Sequence, residues 1–311
     1  MAGDWPAAAQ VLWRARFTLE GAPVPESLGA LEEAALSVSL FAIEEEASAE
    51  PVAWQVSAFF AQAPEKGALR RELEVILGRE VRDLEIDEVP AQDWVAASAM
   101  HQEPVRVGRF FVHAPKDRAL LPPDAVPIEV EAGLAFGSGE HATTQACLEA
   151  IDRLAAVRRC RTVLDLGCGS AILAMGAARA WPTARVIAAD NDPVAVRIAR
   201  ENVAKNGLAV RVAVALSDGF RNDLIRRAAP FDLILANILA DPLIELAPAL
   251  ARRLTPGGFA VLSGLLDRQA EAVTRAYVGQ GLRPHARLGT VPWVGLVLRK
   301  PRRLARGRES G

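Results

Sequence analysis

Cysteine is nearly absent from this chain. Three stand in 311 residues, Cys147, Cys160 and Cys168, and their spacing pairs none of them. That excludes a disulfide framework and a zinc site, and a reducing, cytoplasmic setting is expected. No second His, Cys or acid stands at ligand spacing from His141, so no metal is expected. Long hydrophobic runs are missing too. The greasiest stretch, Leu233 to Leu250, is broken by Asn237, Asp241, Pro242 and Glu245, which no membrane span tolerates cheaply. The opening MAGDWPAAAQ carries Asp4 and no basic n-region, so no secretory leader is expected. A strong net charge is also lacking, at −2, but the distribution is uneven. Residues 1–95 hold 18 acidic and 7 basic side chains, leaving the rest net positive. An acidic first segment disfavours direct contact with nucleic acid and suits a basic partner, unless it is simply a solvated surface.

What is present reads as two domains. In the first ninety residues, Val11–Leu19, Val38–Glu44, Val52–Phe60 and Asp83–Val89 have strand patterns, while Glu26–Leu36 and Glu65–Leu77 have helical ones. The order βαββαβ predicts a small α+β ferredoxin-like domain over 1–92. Residues 93–127 read as a linker, opening on a possible helix from Asp93 to Met100 and rich in proline thereafter. From Ile128 to about residue 300, strands alternate with helices, which predicts an α/β, doubly wound, mostly parallel seven-stranded sheet. Its strands are expected at Arg161–Leu166, Arg185–Asp190, Val210–Leu216, Phe231–Ile238 and Phe259–Leu262. Arg283–Leu288 and Val294–Leu298 follow as a hairpin with no helix between them. The basic tail 301–311 reads as disordered.

Four segments carry chemistry. In VLDLGCGSAIL (163–173) an apolar strand ends at Asp165, and Gly167 and Gly169 permit a tight turn into a helix. A P-loop is excluded because no Lys follows the glycines. The dinucleotide fingerprint wants a third Gly where this chain has Ile172. A small zwitterion fits better than a pyrophosphate, with Asp165 placed for an ammonium. In RVIAADNDPVAV (185–196) Asp190 ends a strand about 20 residues on, the offset of a ribose-binding acid. Asn191 or Asp192 is the cap of the next helix, which Gly207 ends. Ser217-Asp218-Gly219 is either a plain turn or an adenine-side contact. In FDLILANILADP, Asn237 stands at a strand's carboxyl end. It is either a capping Asn or an amide that accepts an N–H from an incoming amine and aims its lone pair. In GLAFGSGEHATTQACL (133–148) a Gly-rich loop meets a helix start, where Thr143 or Thr144 either caps the helix or bonds a cofactor; His141 suits a local hydrogen bond. Together these predict a methyltransferase domain using S-adenosylmethionine.

The same segments in the same order resemble the PrmA family, methyltransferases of a large-subunit ribosomal protein. GLAFGSGEHATT is the most specific sign, followed by VLDLGCGSAIL, AADNDPVAV, NGL and ANILADPL. The connector DWVAASAMHQEPVRVGRFFVHAP is similar to that family's linker. There are departures. Glu131-Ala132-Gly133 replaces Asp-Pro-Gly, Ser138 replaces Thr, and Ala171 replaces the last Gly of Gly-Ser-Gly. The resemblance implies cofactor contacts at Thr144, Gly167, Asp190 and Asn237. It also implies an N-terminal domain that grips a basic ribosomal protein, and methylation of lysine side chains and an N-terminal amine. Three other readings compete: lysine methylation of another protein, such as the electron-transfer flavoprotein β-subunit, a non-catalytic cofactor-sensing ribosome-binding module, and an NAD dehydrogenase.

Overall fold

The computed structural model describes residues 11–20, 35, 37–43, 53–60, 62–90, 104–130, 142–289 and 293–302. The chain divides into two compact units, Met1–Ala97 and Ser98–Gly311. The expected helices at 26–36 and 93–100, apart from Ala35, the Gly-rich loop at 131–141 with His141, and most of the basic tail lie outside the described residues.

The first unit holds strands β1 (Val11–Glu20), β2 (Ser37–Ile43), β3 (Ala53–Phe60) and β4 (Arg82–Pro90) in the order β2-β3-β1-β4, with every pair antiparallel. That is the strand order of the ferredoxin-like arrangement expected from the βαββαβ pattern. Alternation in β1 buries Ala15, Phe17 and Leu19. Its intervening arginines meet acids across the sheet: Arg14 pairs Asp87 at 2.5 Å and Arg16 pairs Glu85 at 3.0 Å, each at its register partner. Helix α1 (Lys66–Leu77) buries Leu69, Leu73 and Leu77 against this sheet's core. Glu65 caps it, accepting from the Gly67 and Ala68 amides, and Gly78 ends it at φ 65°.

The second unit opens with a small sheet where a connector was expected. Strands β5 (Val105–Val107), β6 (Phe110–His113) and β7 (Val126–Glu129) pair in sequence order. Phe110, Val112 and Ile128 enter the unit's main core. The elements that follow are α2 (Ala142–Val157), β8 (Thr162–Leu166), α3 (Ile172–Ala180), β9 (Arg185–Asp190), α4 (Pro193–Lys205) and β10 (Val212–Leu216). Then come α5 (Asp223–Ala228), β11 (Phe231–Asn237), α6 (Ala240–Arg253), β12 (Leu254–Leu266), α7 (Ala270–Val278), β13 (Arg283–Leu288) and β14 (Trp293–Arg299).

These form one seven-stranded sheet, β10-β9-β8-β11-β12-β14-β13. Its first five strands are parallel, and the terminal hairpin runs antiparallel as expected. The period-2 alternation divides the core. Val163, Val186, Leu233 and Val261 face the layer that includes residues of α2, α3 and α4. Leu164, Ile187, Ile234 and Leu262 face the layer of α6 and α7. The strand order reverses between β8 and β11, so a crevice opens at their carboxyl ends, the usual ligand position of such sheets. Among the described residues, no helix is long and apolar enough to cross a membrane. No group of three or more His, Cys, Asp or Glu is placed to hold a metal among them.

Candidate cofactor and methyl-transfer site

The turn after β8 is built by backbone conformation. Gly167 (φ 69°) and Gly169 (φ 51°) occupy the left-handed region that side chains avoid. Gly167 is needed for space as well, because a Cβ there would stand 2.4 Å from the Ile238 side chain. The Gly167 and Cys168 amides both donate to the Ala189 carbonyl, at 2.8 and 3.0 Å, tying the turn to β9. Asp190, at the end of β9, completes the tie. One carboxylate oxygen accepts from Gly169 N at 2.9 Å and the other from Asp192 N at 3.0 Å. Each oxygen keeps a further lone pair, so the half-buried carboxylate can still accept from a ligand's hydroxyls.

Asp165 lies deeper, 1% exposed. Its Oδ2 accepts from Ala174 N at 2.9 Å, and its Oδ1 is buried with no partner. Burial pushes its pKa up to about 7, against the Ala174 amide, with the Asp190 carboxylate adding to the rise. A cation close by would relieve that strain.

On the adjacent strand, Asn237 ends β11. Its Nδ2 stands 3.4 Å from Thr144 Oγ1, a long contact, and its Oδ1 is buried with no partner. It does not cap the following helix: the N-cap of α6 is Leu239, which makes no side-chain cap bond. Thr144 is 1% exposed. Helix α2 begins at Ala142, which places Thr143 and Thr144 inside its first turn rather than at its cap. Thr144, Asp165 and Asn237 thus gather at the reversal point, with Gly167, Gly169 and Asp190 along the β8–β9 side.

One sequence alternative resolves structurally, and a second segment shows its turn geometry. Asp192 is the cap of α4, accepting from Val194 N at 2.8 Å. Ser217 serves a turn: its Oγ donates to Gly219 O at 2.8 Å and accepts from Asn222 N, while Asp218 pairs with Arg221 at 2.6 Å.

Other residues at this end were not singled out from the sequence. Ser263 faces Asn237 in register on β12 and donates to Val294 O at 3.1 Å. Gly264 (φ 82°) lets β12 close on β11, since a Cβ there would lie 2.5 Å from the Ile238 carbonyl oxygen. Cys147, one turn beyond Thr144, is fully buried beside Asp165 and Ser263, and burial pushes its thiol up to about 12. Asn206, from the NGL segment, grips β7. Its Oδ1 accepts from Glu129 N at 3.0 Å and its Nδ2 donates to Glu129 O at 2.7 Å. The Gly after a helix was the only legible signal at that site.

Comparison with known proteins agrees with this geometry. The family described as "Ribosomal protein L11 methyltransferase (PrmA)" matches residues 26–301. A ribosomal protein L11 methyltransferase from Brucella suis is 44% identical over 246 residues, covering 79% of this chain and 85% of that protein. One from Chelativorans sp. is 43% identical over 288 residues, covering 91% and 98% respectively. Among solved structures, the ribosomal protein L11 methylase from Lactobacillus delbrueckii subsp. bulgaricus superposes with a TM-score of 0.57 at 30% identity. That match covers 64% of this chain and all of the other.

Proposed function

Since this chain belongs to the ribosomal protein L11 methyltransferase (PrmA) family, we propose that it transfers methyl groups from S-adenosylmethionine to amino groups of that ribosomal protein. The cytoplasm is the proposed compartment, and lysine side chains and the N-terminal amine are the proposed acceptors. The observation that carries the reading is a pair of orphaned buried oxygens, Asp165 Oδ1 and Asn237 Oδ1, at the carboxyl ends of adjacent strands. A buried acceptor left without a donor is costly. A ligand with an ammonium group and an incoming amine supplies the missing donors, so the residues fit the cofactor.

In this reading Asp190 accepts from the ribose hydroxyls, and Gly167 and Gly169 let the cofactor approach the backbone. Asp165 holds the methionine ammonium, with Thr144 nearby. The cofactor supplies an electrophilic methyl on a sulfonium. The acceptor amine must arrive neutral, because an ammonium has no lone pair. The crevice's partial desolvation, together with the nearby positive charge, lowers that amine's pKa. Asn237 Oδ1 then accepts the amine N–H and aims the lone pair, and no general base among these side chains is required.

The acidic segment 1–95 is the proposed grip for the basic substrate. Incubation of the protein with radiolabelled S-adenosylmethionine and a ribosomal extract, followed by mass spectrometry of the labelled chain, tests the assignment. Label on ribosomal protein L11 at amine positions is expected. Label on a different protein, such as the electron-transfer flavoprotein β-subunit, or on none, would overturn it.

A further inference from the structure

The end of the seven-stranded sheet opposite the crevice is lined by arginines that lack acid partners. Arg211, Arg185 and Arg161 stand side by side at the starts of β10, β9 and β8: Arg185 N donates to Arg161 O at 2.8 Å, and Val186 N donates to Arg211 O at 3.2 Å. At the other edge Arg283, opening β13, is the register partner of Arg299, closing β14. Between them the guanidiniums of Arg158 and Arg299 both lie over the Phe259 ring, at 5.5 and 5.6 Å from its centre. Arg158 and Arg302 flank Gly257.

Among the described residues, none of Arg158, Arg161, Arg185, Arg211, Arg283, Arg299 and Arg302 has a carboxylate partner. Arg153, Arg197, Arg221, Arg226, Arg275 and Arg287 of the same unit each have one. Asp232 also lies on this row, but its carboxylate accepts from the Arg161 and Thr162 amides and from Thr255 Oγ1 rather than from a guanidinium. Cations at helix C-termini are ordinarily explained by the helix dipole. That explanation covers Arg211, whose guanidinium donates to Ala178 O and Pro182 O at the end of α3. It fails for Arg161, Arg185, Arg283 and Arg299, which sit at strand ends. The sequence continues the bias, with nine Arg or Lys and no Asp or Glu from Ala272 to Arg308.

We propose that this amino-terminal end of the sheet is a phosphate-backbone contact for RNA. Seven strands at the usual spacing make a row about 29 Å long, and a row of guanidiniums without carboxylates suits repeated phosphates. An anionic membrane fits less well, because it needs a Trp, Phe or Leu anchor. Among the described residues, the large exposed apolar side chains near this row are Val157, Val210 and Val278, none of them a Trp, Phe or Leu. The acidic segment 1–95 belongs to the other compact unit, and its charge is unsuited to phosphate. The inference does not rest on the methylation reading. An enzyme that labels its substrate without holding RNA, or holds RNA without labelling, separates the two failures.

The test uses the full chain and a short fluorescein-labelled RNA hairpin, with binding read by anisotropy between about 50 and 200 mM salt. Wild type should bind with a steep negative salt slope. The exposed pair Arg161→Glu with Arg185→Glu should weaken binding at least about tenfold and flatten the slope by roughly 2. Arg283→Glu with Arg302→Glu, at the other edge, should do the same. Both double variants should keep wild-type melting and cofactor affinity. If one pair melts early, binding by the other decides the matter. Wild type that ignores the hairpin at low salt, or folded variants that bind it undiminished, would overturn the proposal. So would capture of phosphatidylglycerol vesicles in place of the RNA.

Discussion

Replacing Asp165 with Asn should make the cofactor-free protein more stable, modestly at pH 5 and by much more at alkaline pH. The carboxyl is 1% exposed, and burial is the main reason its pKa is pushed up to about 7. In the unfolded chain an Asp titrates near 3.9. Between those values the folded state holds a proton that the unfolded state has lost. Stability therefore falls as pH rises through this window, and the loss is complete above the folded pKa. The difference of about 3 units corresponds to roughly 4 kcal/mol at pH 8, an upper figure because a buried site relaxes and admits water. Asn never ionises, yet its amide oxygen can still accept from Ala174 N, so the helix start is preserved.

The assay is urea unfolding of wild type and Asp165→Asn at pH 5, 6, 7 and 8 without cofactor. The two curves should differ by roughly 1–2 kcal/mol at pH 5 and by up to about 4 kcal/mol at pH 8, with the variant above throughout. Curves that run parallel across the range would refute the reasoning. They would mean that Asp165 titrates alike in both states. The same carboxylate should be useful once an ammonium arrives. Titration of S-adenosylmethionine into wild type at pH 6, in buffers of different ionisation enthalpy, should show proton release. Asp165→Asn should show none and bind more weakly.

Three further outcomes follow from the site. Asp190→Ala should weaken S-adenosylmethionine binding by about 1–3 kcal/mol, read by calorimetry. Asp190→Asn, which keeps one acceptor, separates ribose contact from the support that Asp190 gives the Gly169 amide; unchanged affinity in both sinks the ribose assignment. Asn237→Ala should slow single-turnover methylation by about a hundredfold, with a smaller loss of cofactor affinity, because the aiming contact is made to the amine. A wild-type rate in that variant would show that something else aims the nucleophile. Deleting Met1–Ala97 should leave cofactor affinity near normal and abolish methylation of the ribosomal protein. Raised salt should slow substrate capture by the intact enzyme. Full-rate methylation by the truncated protein would place the substrate grip elsewhere.

Features carried by one local stretch were legible in the sequence. The apolar runs Val163–Leu166 and Phe231–Asn237, set between helical segments, marked buried parallel strands. The glycines at 167 and 169 marked a turn that only positive φ can make. Features made by distant partners were not legible. Nothing local to Asp190 says that its carboxylate would hold the Gly169 amide, 21 residues earlier, as well as face a ligand. Ser263 and Gly264 meet the end of β11 only because β12 pairs beside it. Strands β5, β6 and β7 have three or four residues each. That is too short for a period to register between prolines, and the segment read as a linker.

Ala171 shows how a local departure is absorbed. By the family's pattern it stands where a glycine is usual, and it does take a glycine's conformation, at φ 64° as the cap residue of α3. An L-residue there costs about 1–2 kcal/mol. Its methyl group is fully buried in the main core, which returns about 0.8 kcal/mol. Alanine also restricts the unfolded chain relative to glycine, by about 0.4–1 kcal/mol. The terms nearly cancel, so the turn keeps its geometry without the glycine. No such offset exists at Gly167 and Gly264, whose added Cβ would run into Ile238 from two sides. Those two glycines, more than the one the family's pattern suggests, set how closely β8 and β12 can approach the end of β11, and so how Asn237 is held.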